Sequence, residues 1–237
     1  MKSILTEVLD REGFALVEEV VARAALAEVA SAVATLGAAD TRFHATRHLL
    51  VRCDAVRRLA LAPELADLAR EVLGSAAFPV KATWFDKTPA ANWRVAWHQD
   101  RTIAVRERRE APGFSCWTIK AGEPHVQPPH EVLEGMVALR LHLDDCPAEN
   151  GALRVLPGSH RAGILSAEAI QQSSELGSAV TAVTAVTVEA RAGDVLLMRP
   201  LLLHASSSAM VPSRRRVLHL EYAAAPLPCG LEWPFAG

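Results

Sequence analysis

Apolar residues recur at helical spacing along the first third of the chain. Leu16-Val17 and Val20-Val21 lead into an alanine-rich run through Leu36, which predicts a helix that stops near Gly37. The same spacing returns at Pro63–Leu73, with Leu65, Leu68 and Leu73 in phase and Gly74 as a C-terminal stop. Between these segments His44 and His48 stand four apart, but nothing acidic supports a metal there and they read as structural. Residues 1–75 are therefore a helical preface.

From residue 78 the pattern shortens. PVKATWF, RVAWHQDRTIAV, MVALRLHL, ALRVLP, VTAVTAVTVEA, DVLLM, LLLH and RRVLHLEY are β-branched or alternating. Turn signals separate them at Thr88-Pro89, Asn150-Gly151, Pro157-Gly158, Gly193-Asp194 and Pro212-Ser213. About eight short strands after a helical preface predict a mainly β, α+β protein: a barrel or two-sheet jelly roll with helices packed outside one sheet. Residues 106–135 and 160–178 read as long irregular segments, the kind that serve as lids or binding loops. With no repeat, low-complexity tract or linker, residues 1–237 are expected to form one domain.

Composition narrows the function classes. Half the residues are hydrophobic, enough for a sizeable core, and the net charge of -2 gives no overall pull toward nucleic acid or an anionic membrane. The basic cluster Arg106–Arg109 reads as solvated surface. Cys53, Cys116, Cys146 and Cys229 form no CxxC pair and no zinc spacing, which fits a reducing compartment. The N-terminal sequence lacks a signal-peptide pattern and no apolar run reaches membrane-spanning length, so a cytoplasmic protein is expected.

The chemistry begins at Trp97-His98-Gln99-Asp100. On a strand, residues i and i+2 share a face, so His98 and Asp100 would point together into the barrel. An imidazole and a carboxylate on one face are two legs of the facial triad that binds non-haem Fe(II) and leaves three coordination positions open. The third leg must come from a distant strand. His204, ending the apolar run Leu201-Leu202-Leu203, has the right type and placement. Arg214-Arg215-Arg216 then enters the last strand, and one inward guanidinium would suit a carboxylate bound away from water; register alone does not choose among the three.

These pieces together resemble the phytanoyl-CoA dioxygenase (PhyH-like) family of Fe(II)- and 2-oxoglutarate-dependent oxygenases. WHQD at 97–100, ENGALRVLPGSHRAG at 149–163, GDVLLMRPLLLHASS at 193–207 and RRVLHLEYA at 215–223 carry the resemblance, in the family's order, across most of 79–223. It implies a double-stranded β-helix over 79–223, with Fe(II) held by His98, Asp100 and His204. It also implies 2-oxoglutarate as cosubstrate and molecular oxygen as oxidant. The family's arginine lies eleven residues after the distal His, which selects Arg215 for the distal carboxylate. Ser206, and Thr83 with Lys81 behind it, are the further cosubstrate contacts implied. Asn150-Gly151 and Pro157-Gly158 read as architectural turns, and His160 lies outside the triad pattern.

One departure concerns the pocket. Arg140, His142 and Asp144 alternate on one face of LRLHLDD, and the family often has an aromatic residue near the position of Arg140. Its structural alternative is an ion pair. With Trp117, Lys120, His125 and Gln127 from the 106–135 segment, Arg140 suggests a compact polar or anionic substrate, contacted by Arg140, Gln127 and Trp117, rather than a long acyl chain. The expected activity is hydroxylation with release of succinate and carbon dioxide. Related halogenating enzymes replace the carboxylate ligand by a small residue, and Asp100 fills that position. Two rivals share the barrel: a cupin-type metalloenzyme without 2-oxoglutarate, which would need no buried Arg215, and a non-catalytic small-molecule-binding domain. A monomer or homodimer is expected, with no nucleic acid or membrane partner.

Overall fold

The computed structural model describes residues 2–36, 45–90, 92–175, 184–210 and 213–235. His44, Gly37, Pro212 and the start of the strand expected at 180–190 lie outside them. The strands are β1 (Phe14–Val17), β2 (Ala45–Thr46), β3 (Phe78–Lys87), β4 (Val95–His98), β5 (Ile103–Ala104), β6 (Ser115–Lys120), β7 (Glu123–Gln127), β8 (Met136–His142), β9 (Leu153–Val155), β10 (Val186–Val188), β11 (Val195–Met198), β12 (His204–Ser206) and β13 (Arg215–Ala223). They form a six-stranded sheet in the order β1-β11-β8-β13-β3-β2 and a four-stranded sheet, β10-β9-β12-β4, beside a small sheet, β5-β7-β6. Every strand pair is antiparallel, and the larger two sheets make the double-stranded β-helix.

The six-stranded sheet divides its residues by parity. Ala82, Trp84, Leu139, Leu141, Leu197, Leu218, Leu220 and Tyr222 face outward into a core shared with the N-terminal helices. Those helices are α1 (Ile4–Glu12), α2 (Arg23–Thr35), α3 (Leu49–Arg52), α4 (Asp54–Leu61) and α5 (Pro63–Leu73). Leu9, Leu49 and Leu65 are wholly buried there, each contributing about 1.5–3 kcal/mol by the usual apolar-transfer scale. The lone tyrosine, Tyr222, donates its hydroxyl to the Ala60 carbonyl at 2.7 Å and so ties the last strand to α4. This outer layer leaves the alternate residues of the sheet to the barrel interior.

Two readings change. The apolar run from Leu16 is not the start of a helix: Phe14–Val17 pairs with β11 as an edge strand, and α2 begins only at Arg23. Glu19 takes a positive φ of 55°, which breaks the helical path, and its backbone N–H donates to the buried Asp194 carboxylate at 2.9 Å. Tertiary pairing thus overrides local spacing. The 106–135 segment is not irregular either. It holds the β6–β7 hairpin and a short helix, α6 (His130–Glu134), while α7 (Ala167–Glu175) lies in the second polar segment. Pro63–Leu73 forms as expected, with Pro63 in its first turn and Gly74 after its end.

Candidate metal centre

His98 closes β4 and His204 opens β12. They are direct partners across the two antiparallel strands, with ring centroids 4.1 Å apart. Strand alternation does not deliver Asp100, because the chain leaves β4 after His98. Two other contacts do. The Asp100 backbone N–H donates to the Pro200 carbonyl at 2.9 Å, and the Gln99 side chain is buried and tied to the Gly163 and Leu201 carbonyls and the Leu165 N–H. Asp100 is thereby swung beside the two imidazoles.

The donor atoms suit a divalent metal. His98 Nδ1 lies 2.8 Å from the Ala96 carbonyl and His204 Nδ1 lies 2.8 Å from the Leu202 carbonyl. A carbonyl only accepts, so each Nδ1 carries the proton and each Nε2 presents its lone pair. The two Nε2 atoms stand 3.9 and 3.8 Å from Asp100 oxygens, too far for hydrogen bonds, and one ligand atom from each residue falls within 4.8 Å of the others. Burial pushes the His204 pKa down to about 4 and keeps its imidazole neutral at pH 7. Burial opposes the charged form of Asp100, but His204, His219, His98 and Lys81 outweigh it and hold the group a carboxylate. These are the protonation states a metal needs.

The triad lines a cavity of about 290 Å³ whose walls are the inward parity of β3 and β13. Their register pairs Lys81 with Glu221, Thr83 with His219, Phe85 with Val217 and Lys87 with Arg215. The Lys81–Glu221 rung is an ion pair of 2.6 Å. The Lys87–Arg215 rung sets two buried cations opposite each other, and among the described residues no carboxylate lies within ion-pair distance of either. Ser206 accepts from both, from Lys87 at 3.0 Å and Arg215 at 3.1 Å, and donates to the Gly151 carbonyl. Arg215 also donates to that carbonyl. The Asn150-Gly151 turn is therefore part of the pocket as well as architecture; Gly151 has φ +69°, and a Cβ there would meet the Ser207 carbonyl at 2.5 Å. Burial first, then Arg215 and Arg140, push the Lys87 pKa down to about 7.

The neighbours of Arg215 are engaged elsewhere. Arg214 pairs with Asp86 at the surface and Arg216 makes a bidentate pair with Asp144. Asp144 is thus not the partner of Arg140, which reaches into the cavity. The Arg140 guanidinium lies over the Phe85 ring at 5.9 Å, and its Nε, like Thr83 Oγ1, is buried without a protein partner among the described residues. These orphaned polar atoms and the unopposed cations fit a polyoxygenated anion.

The other candidates fall outside. Gln127 and Trp117 do not line the cavity: Gln127 pairs with Ser115 in the hairpin, and Trp117 packs into an apolar cluster with Arg108 over its ring at 5.5 Å. His160 bonds the Asp10 carbonyl, away from the triad. Sequence reasoning passed over Lys87, His219 and Arg47. Lys87 shares the parity of Thr83, which was the available signal.

Two imidazoles and one carboxylate inside a double-stranded β-helix make a candidate facial-triad metal site. Residues 9–217 match the phytanoyl-CoA dioxygenase (PhyH) family, and the chain belongs to that family of Fe(II)- and 2-oxoglutarate-dependent oxygenases. Among curated proteins no sequence match was found. Solved structures share the fold. The non-heme alpha-ketoglutarate-dependent epimerase SnoN from nogalamycin biosynthesis is 21% identical, with a TM-score of 0.67 over 94% of this chain and 82% of its own. The corresponding carbocyclase SnoK is 16% identical, with a TM-score of 0.71 over 95% and 85%. EctD from S. alaskensis, solved with 2-oxoglutarate and 5-hydroxyectoine, is 20% identical, with a TM-score of 0.70 over 94% and 76%. No helix among the described residues is long and apolar enough to cross a membrane.

Proposed function

We propose that this protein hydroxylates a small polar or anionic molecule, using Fe(II) held by His98, Asp100 and His204 and 2-oxoglutarate anchored by Arg215. The observation that carries the reading is the pairing of two features in one cavity: a triad whose two imidazoles and carboxylate bring their ligand atoms within 4.8 Å of one another, and a Lys87–Arg215 rung of cations with no acid among the described residues to oppose it. Bound Fe(II) would supply the oxidising chemistry, coupling 2-oxoglutarate decarboxylation to cleavage of a substrate C–H bond. The chain's own residues do the rest. His98 and His204 are held in one tautomer by the Ala96 and Leu202 carbonyls. Arg215, Lys87 and Ser206 receive the distal carboxylate of the cosubstrate, with Thr83 on the wall between them and the triad.

Hydroxylation asks less of the site than epimerisation, which must also return a hydrogen atom to the substrate carbon from the opposite face. The rival without 2-oxoglutarate gives no account of the Lys87–Arg215 rung.

The test is anoxic assembly with Fe(II) and 2-oxoglutarate, followed by oxygen and a panel of small acids, alcohols and amides. Succinate release coupled to a product heavier by one oxygen atom supports the proposal. Binding of substrates with no 2-oxoglutarate consumption, or a stereoinverted product of unchanged mass, overturns it.

A further inference from the structure

The inward ladder of β3 has two cationic ends. Lys81 and Lys87 share its parity and stand six residues apart, or about 20 Å at the usual strand rise. The Lys87 end belongs to the cosubstrate in the function proposed above. At the other end three cations from three elements line the same cavity: Lys81 from β3, Lys120 from the end of β6, and Arg47 immediately after β2. Continuing the β2–β3 register beyond Thr46↔Trp84 sets Arg47 opposite Thr83, on the inward parity.

The acids nearby are already committed. Glu221 neutralises Lys81 at 2.6 Å. Glu123 meets His48 at 3.1 Å. No described carboxylate lies within ion-pair distance of Lys120 or Arg47. The Lys120 ammonium has three donors, and its hydrogen bond is one to Thr102 Oγ1 at 2.8 Å. Burial, then Lys81 and Arg47, disfavour its charge, and Asp100 and Glu221 offset only part of this. A half-buried lysine held toward two other cations is a cost to the fold that an incoming anion would remove.

We propose that Lys120 and Arg47 form a second anion subsite, next to the metal position, that binds an oxyanion (carboxylate or phosphate) carried by the substrate. The assignment rests on the function proposed above and narrows its substrate class from polar or anionic to anionic. The placement also limits substrate size. Lys120 is anchored on Thr102, two residues beyond Asp100, so the oxyanion lies close to the metal and the oxidised carbon belongs to a compact molecule. The wall between the two cationic ends carries Thr83, Phe85 and His219, two of them polar.

The experiment titrates protein loaded anoxically with Ni(II) and saturating 2-oxoglutarate. The probes are inorganic phosphate, small phosphomonoesters, and small monocarboxylates each matched with its primary amide. Calorimetry should find one further anion site that prefers acids or phosphates to their neutral counterparts. Lys120→Gln and Arg47→Gln should each weaken it about tenfold or more, as expected for a lost charged hydrogen bond. Lys120→Arg should retain it, which separates lost charge from lost folding. In the same variants the 2-oxoglutarate Kd should move by less than about threefold, because the two sites share no partner. Amides that bind as well as acids, or anions that bind both neutral variants as tightly as the native chain, would overturn the subsite while leaving the oxygenase reading intact. Failure of the native chain to bind 2-oxoglutarate would overturn the oxygenase reading, and the subsite with it.

Discussion

Replacing Lys87 by methionine should have opposite effects on the free and the loaded protein. Lys87 is buried beside Ser206 and opposite Arg215, and its pKa falls from 10.5 to about 7 through burial, Arg215 and Arg140. Each unit is about 1.36 kcal/mol, so the 3.5-unit fall bounds the cost of the charged form at about 5 kcal/mol. The sign follows from proton counting. Between pH 7 and 10.5 the unfolded chain holds the Lys87 proton and the folded chain does not, so folding stability climbs with pH across that window and the full penalty applies below it. Methionine keeps the side-chain length without the charge. Allowing for local relaxation, Lys87→Met should stabilise the ligand-free protein by about 1–3 kcal/mol, an increase of about 2–10 °C in Tm for a chain of this size. It should also weaken 2-oxoglutarate by about ten- to a hundredfold, through loss of one charge-assisted partner. Thermal unfolding of the ligand-free protein and calorimetric titration with 2-oxoglutarate measure the two effects. A variant that is less stable and still binds 2-oxoglutarate normally would refute the reasoning, because Lys87 would then be a structural cation.

The same pocket gives three further expectations. Arg215→Ala should weaken 2-oxoglutarate by about 2–5 kcal/mol, whereas Arg214→Ala, which removes only the surface pair with Asp86, should cost under about 1 kcal/mol; titrations of the two variants check this. The 2-oxoglutarate Kd of the native chain should rise as pH increases above about 7, since binding favours protonated Lys87, and Lys87→Met should flatten that dependence. In chloride-rich buffer mass spectrometry should find hydroxylated and no chlorinated product, because Asp100 occupies the position a halide would need.

The parts legible in the sequence were those written as local chemistry. His98 and His204 stood out as imidazoles in apolar strand contexts, while only the family resemblance separated Arg215 from its neighbours. The structure turns that choice into register: Arg214 and Arg216 find Asp86 and Asp144, and Arg215 alone faces inward. What stayed hidden depends on pairing between distant segments. Phe14–Val17 becomes a strand only because β11 offers an edge. Asp100 reaches the imidazoles through Pro200 and a buried Gln99 rather than through strand alternation. Lys120 was legible as a pocket residue of the 106–135 segment, but the hairpin that carries it into the cavity and keeps Gln127 and Trp117 out of it reads as an irregular loop. Arg47 follows a two-residue strand too short for periodicity to reveal.

The most direct measurement is anomalous X-ray diffraction from crystals grown without oxygen and soaked with Fe(II) and 2-oxoglutarate. One iron peak is expected, about 2.0–2.2 Å from His98 Nε2, His204 Nε2 and an Asp100 oxygen, as for imidazole and carboxylate ligands of a first-row metal. The cosubstrate should extend from that iron to the guanidinium of Arg215. Iron bound elsewhere, or an oxoglutarate that binds away from both the triad and Arg215, would contradict the account.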